Sequence, residues 1–326
     1  MDDQSLPSYH QLPVTPGAPA GSSWGVWGPG DTRGCLNLLT DERAAAAAAG
    51  VRTGRVFNLN LELELPDPPL YGRSAFEHSV IDRATGHDDE LSNWNTQSSS
   101  QWDGFRHVRS LAHGFYNGVA DEDHGVEHWA RRGVVGRAVL ADVERWRKSS
   151  GRPLRPDATD PIPAADLAAT LESQGTVVET GDILLIRTGW LAHYRSLDRA
   201  GREALATSDV ASPGLAAGTE TAAYLWDLHI AAVAADNPAL EAWPAAYFTV
   251  GSDERRAARD DHEALVGLFL HFSLLPLLGL PVGELFDLDA LAEDSAADGR
   301  YTSLFTSAPL NLLHGVASPP NALAIK

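Results

Sequence analysis

The chain has 326 residues, with 25 Lys and Arg against 44 Asp and Glu, for a net charge of −19. That length supports a sizeable core, and the 44% hydrophobic fraction separates the chain from disordered sequences. The acidic excess argues against partners bound through phosphates, whether nucleic acid or anionic membrane, and the single cysteine, Cys35, excludes an internal disulfide or a cysteine-rich zinc site.

Residues 1–22 are rich in Pro, Gly and Ser, with two early acids and no apolar core, so they read as a flexible N-terminal arm and not as a secretory signal. Residues 23–326 are expected to form one catalytic domain. Thr40-Asp41-Glu42 followed by Ala44–Ala49 predicts a capped helix that ends at Gly50. Strict alternation over Phe57–Leu65 predicts a half-exposed strand, while Val134–Val143 and Ile183–Arg187 read as buried strands. Helices are expected over Pro163–Gln174, Thr219–Leu228 and about Asp260–Leu275, with a strand at Ile230–Ala235. The apolar run Leu265–Val282 is interrupted by His271, Pro276, Gly279 and Pro281, so it reads as a buried helix and turn, with the cytoplasm as the default location. The alternation of helix and strand in the second half predicts an α/β domain with a mixed sheet.

The chemistry concentrates in Ser92–Asn117, SNWNTQSSSQWDGFRHVRSLAHGFYN, which lacks helical periodicity. Asp103 and His107 lie four residues apart, and a carboxylate beside an imidazole suits acid–base work near neutral pH. The same spacing serves equally to brace a loop. Downstream, His271 and Glu284 lie in apolar surroundings that require pairing, hydrogen bonding or a metal. His113, His124 and His128 near Glu127, and His262, are weaker candidates. The sequence has neither a dinucleotide fingerprint nor a GxSxG nucleophile elbow.

Several ordered blocks resemble the cyclase family of kynurenine formamidase, isatin hydrolase and trans-dienelactone hydrolase. They are WGVWGPGDTRGCLNLLT, GFYNG, GVVGRAVLADV, GDILLIRTGW, AADNPALEAWP, LLGLPVGELFDLDALA and APLNLLHGVASPPNALAI. The resemblance implies a swivelling β/β/α-type single domain with a mixed sheet, assembled as a homodimer or homotetramer. The family signature is His-x-Gly-Thr-His-x-Asp-x-Pro-x-His. Laid on QSSSQWDGFRH, it places its aspartate on Asp103 and its acid–base histidine on His107. Its two ligand histidines fall on Gln97 and Gln101, and its downstream ligands on His271 and Glu284.

Glutamine carbonyls are far weaker ligands for zinc or manganese than imidazole. One divalent ion held by Asp103, His271, Glu284 and Gln101 or water, tilted towards manganese or magnesium over zinc, is one expectation. A hydrogen-bonded pocket without metal is the other. Trp27, Gln97, Gln101, Trp102, Phe105, Tyr116 and Asn117 are expected to bind a small, planar substrate. The resemblance implies hydrolysis of a cyclic amide, lactone or aryl formamide, with Asp103, His107 and Glu284 catalytic. A metal-independent cyclase, dehydratase or isomerase is the alternative, and a non-catalytic binding protein the third.

Overall fold

The computed structural model describes residues 6–207, 210–259 and 261–326. Nine strands form the main sheet: β1 Val56–Asn58, β2 Gln101–Asp103, β3 Val134–Asp142, β4 Ile183–Arg187, β5 Ala232–Ala235, β6 Val282–Glu284, β7 Thr302–Ser307, β8 Ala317–Ser318 and β9 Ala322–Ile325. Their order is β1-β9-β7-β3-β4-β5-β6-β2-β8. The central strands β3 to β6 run parallel, and the flanking pairs are antiparallel. This is the mixed α/β sheet anticipated from the alternation of elements.

The parallel strands are apolar because both of their faces are covered. Ile183–Arg187 and Ala232–Ala235 are buried throughout. Helices Asp41–Ala49 and Ala164–Ser173 pack on β3. The first forms as its sequence predicts, with the Thr40 hydroxyl accepting from Arg43 N. Pro163 stands at the N-cap of the second, and a further helix covers Thr219–Asp227. From Leu6 on, the N-terminal stretch lies against the domain. Trp226 Nε1 donates to Pro7 O at 2.8 Å, and Tyr9 N donates to Asp227 at 2.7 Å. Residues 1–5 of the expected arm lie outside the described residues. An exposed hairpin, Glu77–Arg83 paired with Gly86–Ser92, leads into the polar segment.

Two elements differ from their sequence patterns. The strand expected over Phe57–Leu65 stops at Asn58, because its sole neighbour, β9, begins at Ala322. Beyond it, Leu61 N turns instead to the Ser100 hydroxyl at 2.8 Å. The helix expected over Asp260–Leu275, whose first residue lies outside the described residues, is two short helices, His262–Leu268 and His271–Leu274. Between them Phe269 is extended, and the buried Glu241 carboxylate accepts Leu270 N at 2.7 Å and His271 N at 3.3 Å. A carboxylate that captures two backbone donors terminates one helix and starts the next. Among the described residues, no helix is long and apolar enough to cross a membrane.

Candidate active site

Alternation along β2 decides which side chains can meet. Gln101 and Asp103 face one side of the sheet, and Trp102 faces the other. Registration with β6 sets Glu284 opposite Gln101 and Val282 opposite Asp103. Gly283, opposite Trp102, has no room for a side chain: a Cβ there would lie 2.6 Å from Ala234 Cβ and 2.7 Å from the Phe286 ring. Glu284 therefore ends a parallel strand beside Asp103, at the carboxyl end of the sheet, where open α/β sheets place their ligands.

The broken helix brings His271 over this pair. Its Nδ1 donates to Glu241 Oε1 at 2.5 Å, and its Nε2 lies 3.4 Å from Glu284 Oε1 and 3.9 Å from Asp103 Oδ2. The Phe269 ring stacks on the imidazole at 4.7 Å. His107 approaches from the turn after β2, with Nε2 4.0 Å from Asp103 Oδ2. Asp103, His107, His271 and Glu284, expected to share one cavity, do meet.

The two glutamines close the network. Gln97 Nε2 donates to Asp103 Oδ1 at 2.7 Å and lies 3.0 Å from His107 Nδ1, while Gln101 Nε2 donates to Glu284 Oε2. One polar atom is left over: Asp103 Oδ2 is buried and has no hydrogen-bond partner. Buried carboxylate oxygens without partners are costly.

Charge follows from these neighbours. Burial works against a cation at His271, but its hydrogen bonds to Glu241 and Glu284 win and hold its pKa up at about 10. Burial and the nearby Asp103 push Glu284 up to about 7. Burial holds His107 below the usual histidine range, although Asp103 opposes it, so its ring is neutral at pH 7.

The group opens on a cleft of about 350 Å³. Tyr71, Trp243, Phe248 and Phe269 form its aromatic wall, Val108, Pro238 and Ala239 its aliphatic wall, and Arg73, His107, His271 and Glu284 its polar side. Both glutamates adjoin strained backbone: Leu240, before Glu241, has φ 55°, and Leu285, after Glu284, has φ 56°. Such values in a leucine cost on the order of 1–3 kcal/mol and gather at functional sites.

None of the aromatic residues expected to bind substrate borders this cleft. Trp102 packs on Phe286 at 5.1 Å and bonds Ser307, on the opposite face of the sheet, as the alternation requires. Phe105 packs on Tyr116 and Trp129, and Tyr116 is fully buried with its hydroxyl donating to Asp31. Asn117 braces the N-terminal segment, donating to Gly28 O and accepting from Gly25 N. Trp27 sits edge-on to Trp226 beside Cys35. None of these five borders the cleft, whereas Gln97 and Gln101 stand within the acid–imidazole network. His124 bonds Tyr116 O, His128 bonds Asp123 O, and His262 bonds the Tyr9 hydroxyl, all away from the cleft.

Sequence reasoning missed Glu241, Arg73 and Tyr71. Glu241 had a readable signal, a lone acid in the apolar stretch Ala239–Trp243. Arg73 and Tyr71 lie in a Pro/Gly-rich loop with no periodicity.

For a metal, the donor set fits. Asp103, His271 and Glu284 offer ligand atoms within 4.8 Å of one another. The partnerless Asp103 oxygen points into that group, and Glu241 holds the far nitrogen of His271 in the way outer carboxylates hold metal-ligating imidazoles.

A mixed α/β sheet that gathers buried acids and imidazoles onto an apolar cleft defines an enzyme-type site. The chain belongs to the cyclase family: the family model described as "Putative cyclase" matches residues 23–242. That span contains Asp103, His107 and Glu241 and stops short of His271 and Glu284. Among solved structures, a crystal structure of a novel cyclase is 29% identical with a TM-score of 0.78, covering 94% of this chain and 99% of its own. Isatin hydrolase A from Labrenzia aggregata, bound to benzyl benzoate, is 19% identical with a TM-score of 0.58, over 89% of this chain and 98% of its own. Isatin hydrolase A from Ralstonia solanacearum is 18% identical with a TM-score of 0.56, over 88% and 98%. The two hydrolases establish likeness of fold. Among curated proteins, none matches the chain.

Proposed function

We propose that this enzyme is a hydrolase that opens a cyclic amide or lactone, or cleaves an aryl formamide, with His107 handling the proton. The observation that carries the reading is the partnerless Asp103 oxygen, set with His271 and Glu284 beside His107 on an aromatic cleft. The name of the isatin hydrolases, which share the fold, agrees with this class of reaction. Asp103, His271 and Glu284 would hold a divalent cation, which when bound supplies a Lewis acid and lowers the pKa of water.

The remaining work falls to the chain. The aromatic wall stacks a planar substrate and excludes water. His107, neutral at pH 7, accepts the proton of the attacking water at Nε2 and returns it to the leaving nitrogen or oxygen. This requires the ring hydrogen on Nδ1, facing the Gln97 side-chain oxygen, hence an amide turned over from the orientation that bonds Asp103 Oδ1.

The Gln97 orientation found here favours a second reading. An N–H presented to Nδ1 leaves the ring hydrogen on Nε2, so His107 polarises a carbonyl by donation while Glu284 takes an adjacent proton. That is chemistry for a metal-independent cyclase, dehydratase or isomerase. Elemental analysis of the purified protein, with a pH-stat assay of aryl lactones and formanilides, tests both. Stoichiometric divalent metal and acid release, lost in His107→Ala, support hydrolysis. A metal-free, chelator-indifferent protein that releases no acid overturns it.

A further inference from the structure

Arg73 is the guanidinium on the cleft wall, near enough to Glu284 and His107 that its charge disfavours a proton on each, yet it forms no ion pair with the acids of that group. It stands over the Tyr71 ring at 5.3 Å, on the aromatic side of the cleft. Its bonds to Gln97 O and, at 3.4 Å, to Gln101 Oε1 both use one nitrogen, Nη1. The hydrogens on Nη2 and Nε are left for a ligand, and among the described residues no carboxylate stands at ion-pair distance from this guanidinium. Elsewhere some partly buried arginines pair with acids, as for Arg137 with Asp182 at 2.7 Å and Arg147 with Asp166, while Arg202 and Arg255 rest on backbone carbonyls and an aromatic ring; Arg73 differs from the latter two in lining the cleft. A half-buried guanidinium held by two neutral oxygens and an aromatic face, on the wall of an apolar cleft, lacks only the planar anion that it recognises best.

We propose that Arg73 is a specificity residue for a carboxylate, so that the ligands of this cleft are planar, apolar molecules bearing an anionic carboxyl group. The inference deepens the proposed function and rests on that cleft being the substrate cleft. The aromatic wall takes the flat body, and Arg73 takes the carboxylate through its free edge. A carboxylate carried by the substrate and one released by ring opening present the same chemistry to Arg73.

Calorimetric titration of the full chain with sodium benzoate and with neutral, isosteric benzamide tests the proposal without turnover. Wild type is expected to prefer benzoate by about ten- to a hundredfold, the range of a hydrogen bond to a charged group. Arg73→Gln is expected to lose that preference while binding benzamide as before, and Arg73→Lys to keep part of it. A wild type without the preference overturns the proposal, as does an Arg73→Gln protein that retains it. Equal loss of both probes in Arg73→Gln and in Arg73→Lys also overturns it, since that marks a bracing role. Two kinetic arms separate the sources of the carboxylate. Arg73→Gln raises KM for a carboxyl-bearing lactone if the substrate carries it, and relieves product inhibition with a neutral lactone if ring opening releases it. Benzoate selectivity in a protein that opens no lactone or formamide removes the hydrolase reading and leaves the carboxylate subsite standing.

Discussion

Two buried ionic clusters sit along the carboxyl edge of the parallel strands, and they are built to different ends. At the end of β4, Arg187 bonds Asp142 at 3.0 Å, Glu144 at 3.1 Å and Asp289 at 2.8 Å. Beside it, Asp236 accepts Thr188 N and Oγ1, each at 2.7 Å, and Gly189 N at 2.9 Å. Each of these carboxylates is satisfied, and none borders the aromatic cleft. At the ends of β2 and β6, His271 lies among Glu241, Glu284 and Asp103, yet one Asp103 oxygen stays bare and the cluster opens on a cavity. Buried charge alone therefore does not mark a site in this fold. The unsatisfied acceptor and the open face do.

The comparison breaks most readily at its two cations. His271→Ala and Arg187→Met are each expected to cost about 3–5 kcal/mol, because each leaves buried carboxylates unpaired. Chemical denaturation measures this. Catalytic efficiency per folded molecule should collapse in the first variant and persist in the second; an inactive but folded Arg187→Met protein would erase the distinction. His107→Ala should lower kcat/KM by about 10²- to 10⁴-fold with a melting temperature near that of the wild type. Steady-state kinetics beside a thermal melt decides it.

Glu241→Gln sharpens the contrast further. An outer partner of a ligating imidazole typically contributes about 10–100-fold in metal affinity, so manganese or zinc titration should weaken by that factor if Asp103, His271 and Glu284 hold a cation. The remaining contrast is in pH dependence. His271 binds its proton more tightly in the folded chain, so the stability this gives is full below about 6.5 and lost as pH rises through about 10. His107 shifts the other way: its neutral form is favoured by folding, so its contribution is present above pH 6.5 and lost as pH falls below that value. Denaturant midpoints across pH, in wild type and His107→Ala, separate the two.

Much of the scaffold was legible from local pattern. The Thr40 cap, the apolar runs of β3 and β4, and the helix behind Pro163 each follow from forces acting within a few residues. The four central site residues were legible through the resemblance, since spacing alone left Asp103 and His107 undecided. What escaped was set at long range. Glu241 breaks a helix about 30 residues away, and no pattern within that helix announces the break. Trp102 looked like a pocket residue because it neighbours Asp103, yet period-two geometry sends it to the other face. The short β1 likewise reflects where its neighbour begins, which Phe57–Leu65 does not encode.

The left-handed leucines beside both glutamates have a practical consequence for anyone engineering the protein. Leu240→Gly or Leu285→Gly would ease a conformation that leucine tolerates poorly, but both side chains are buried in the core, and the cavity left behind costs about 2–5 kcal/mol, more than the relief of strain returns. Each would also free the peptide that aims a carboxylate at the imidazole. Selection for thermal endurance should therefore keep both leucines, so that heat resistance and the aim of the two acids are held by the same side chains.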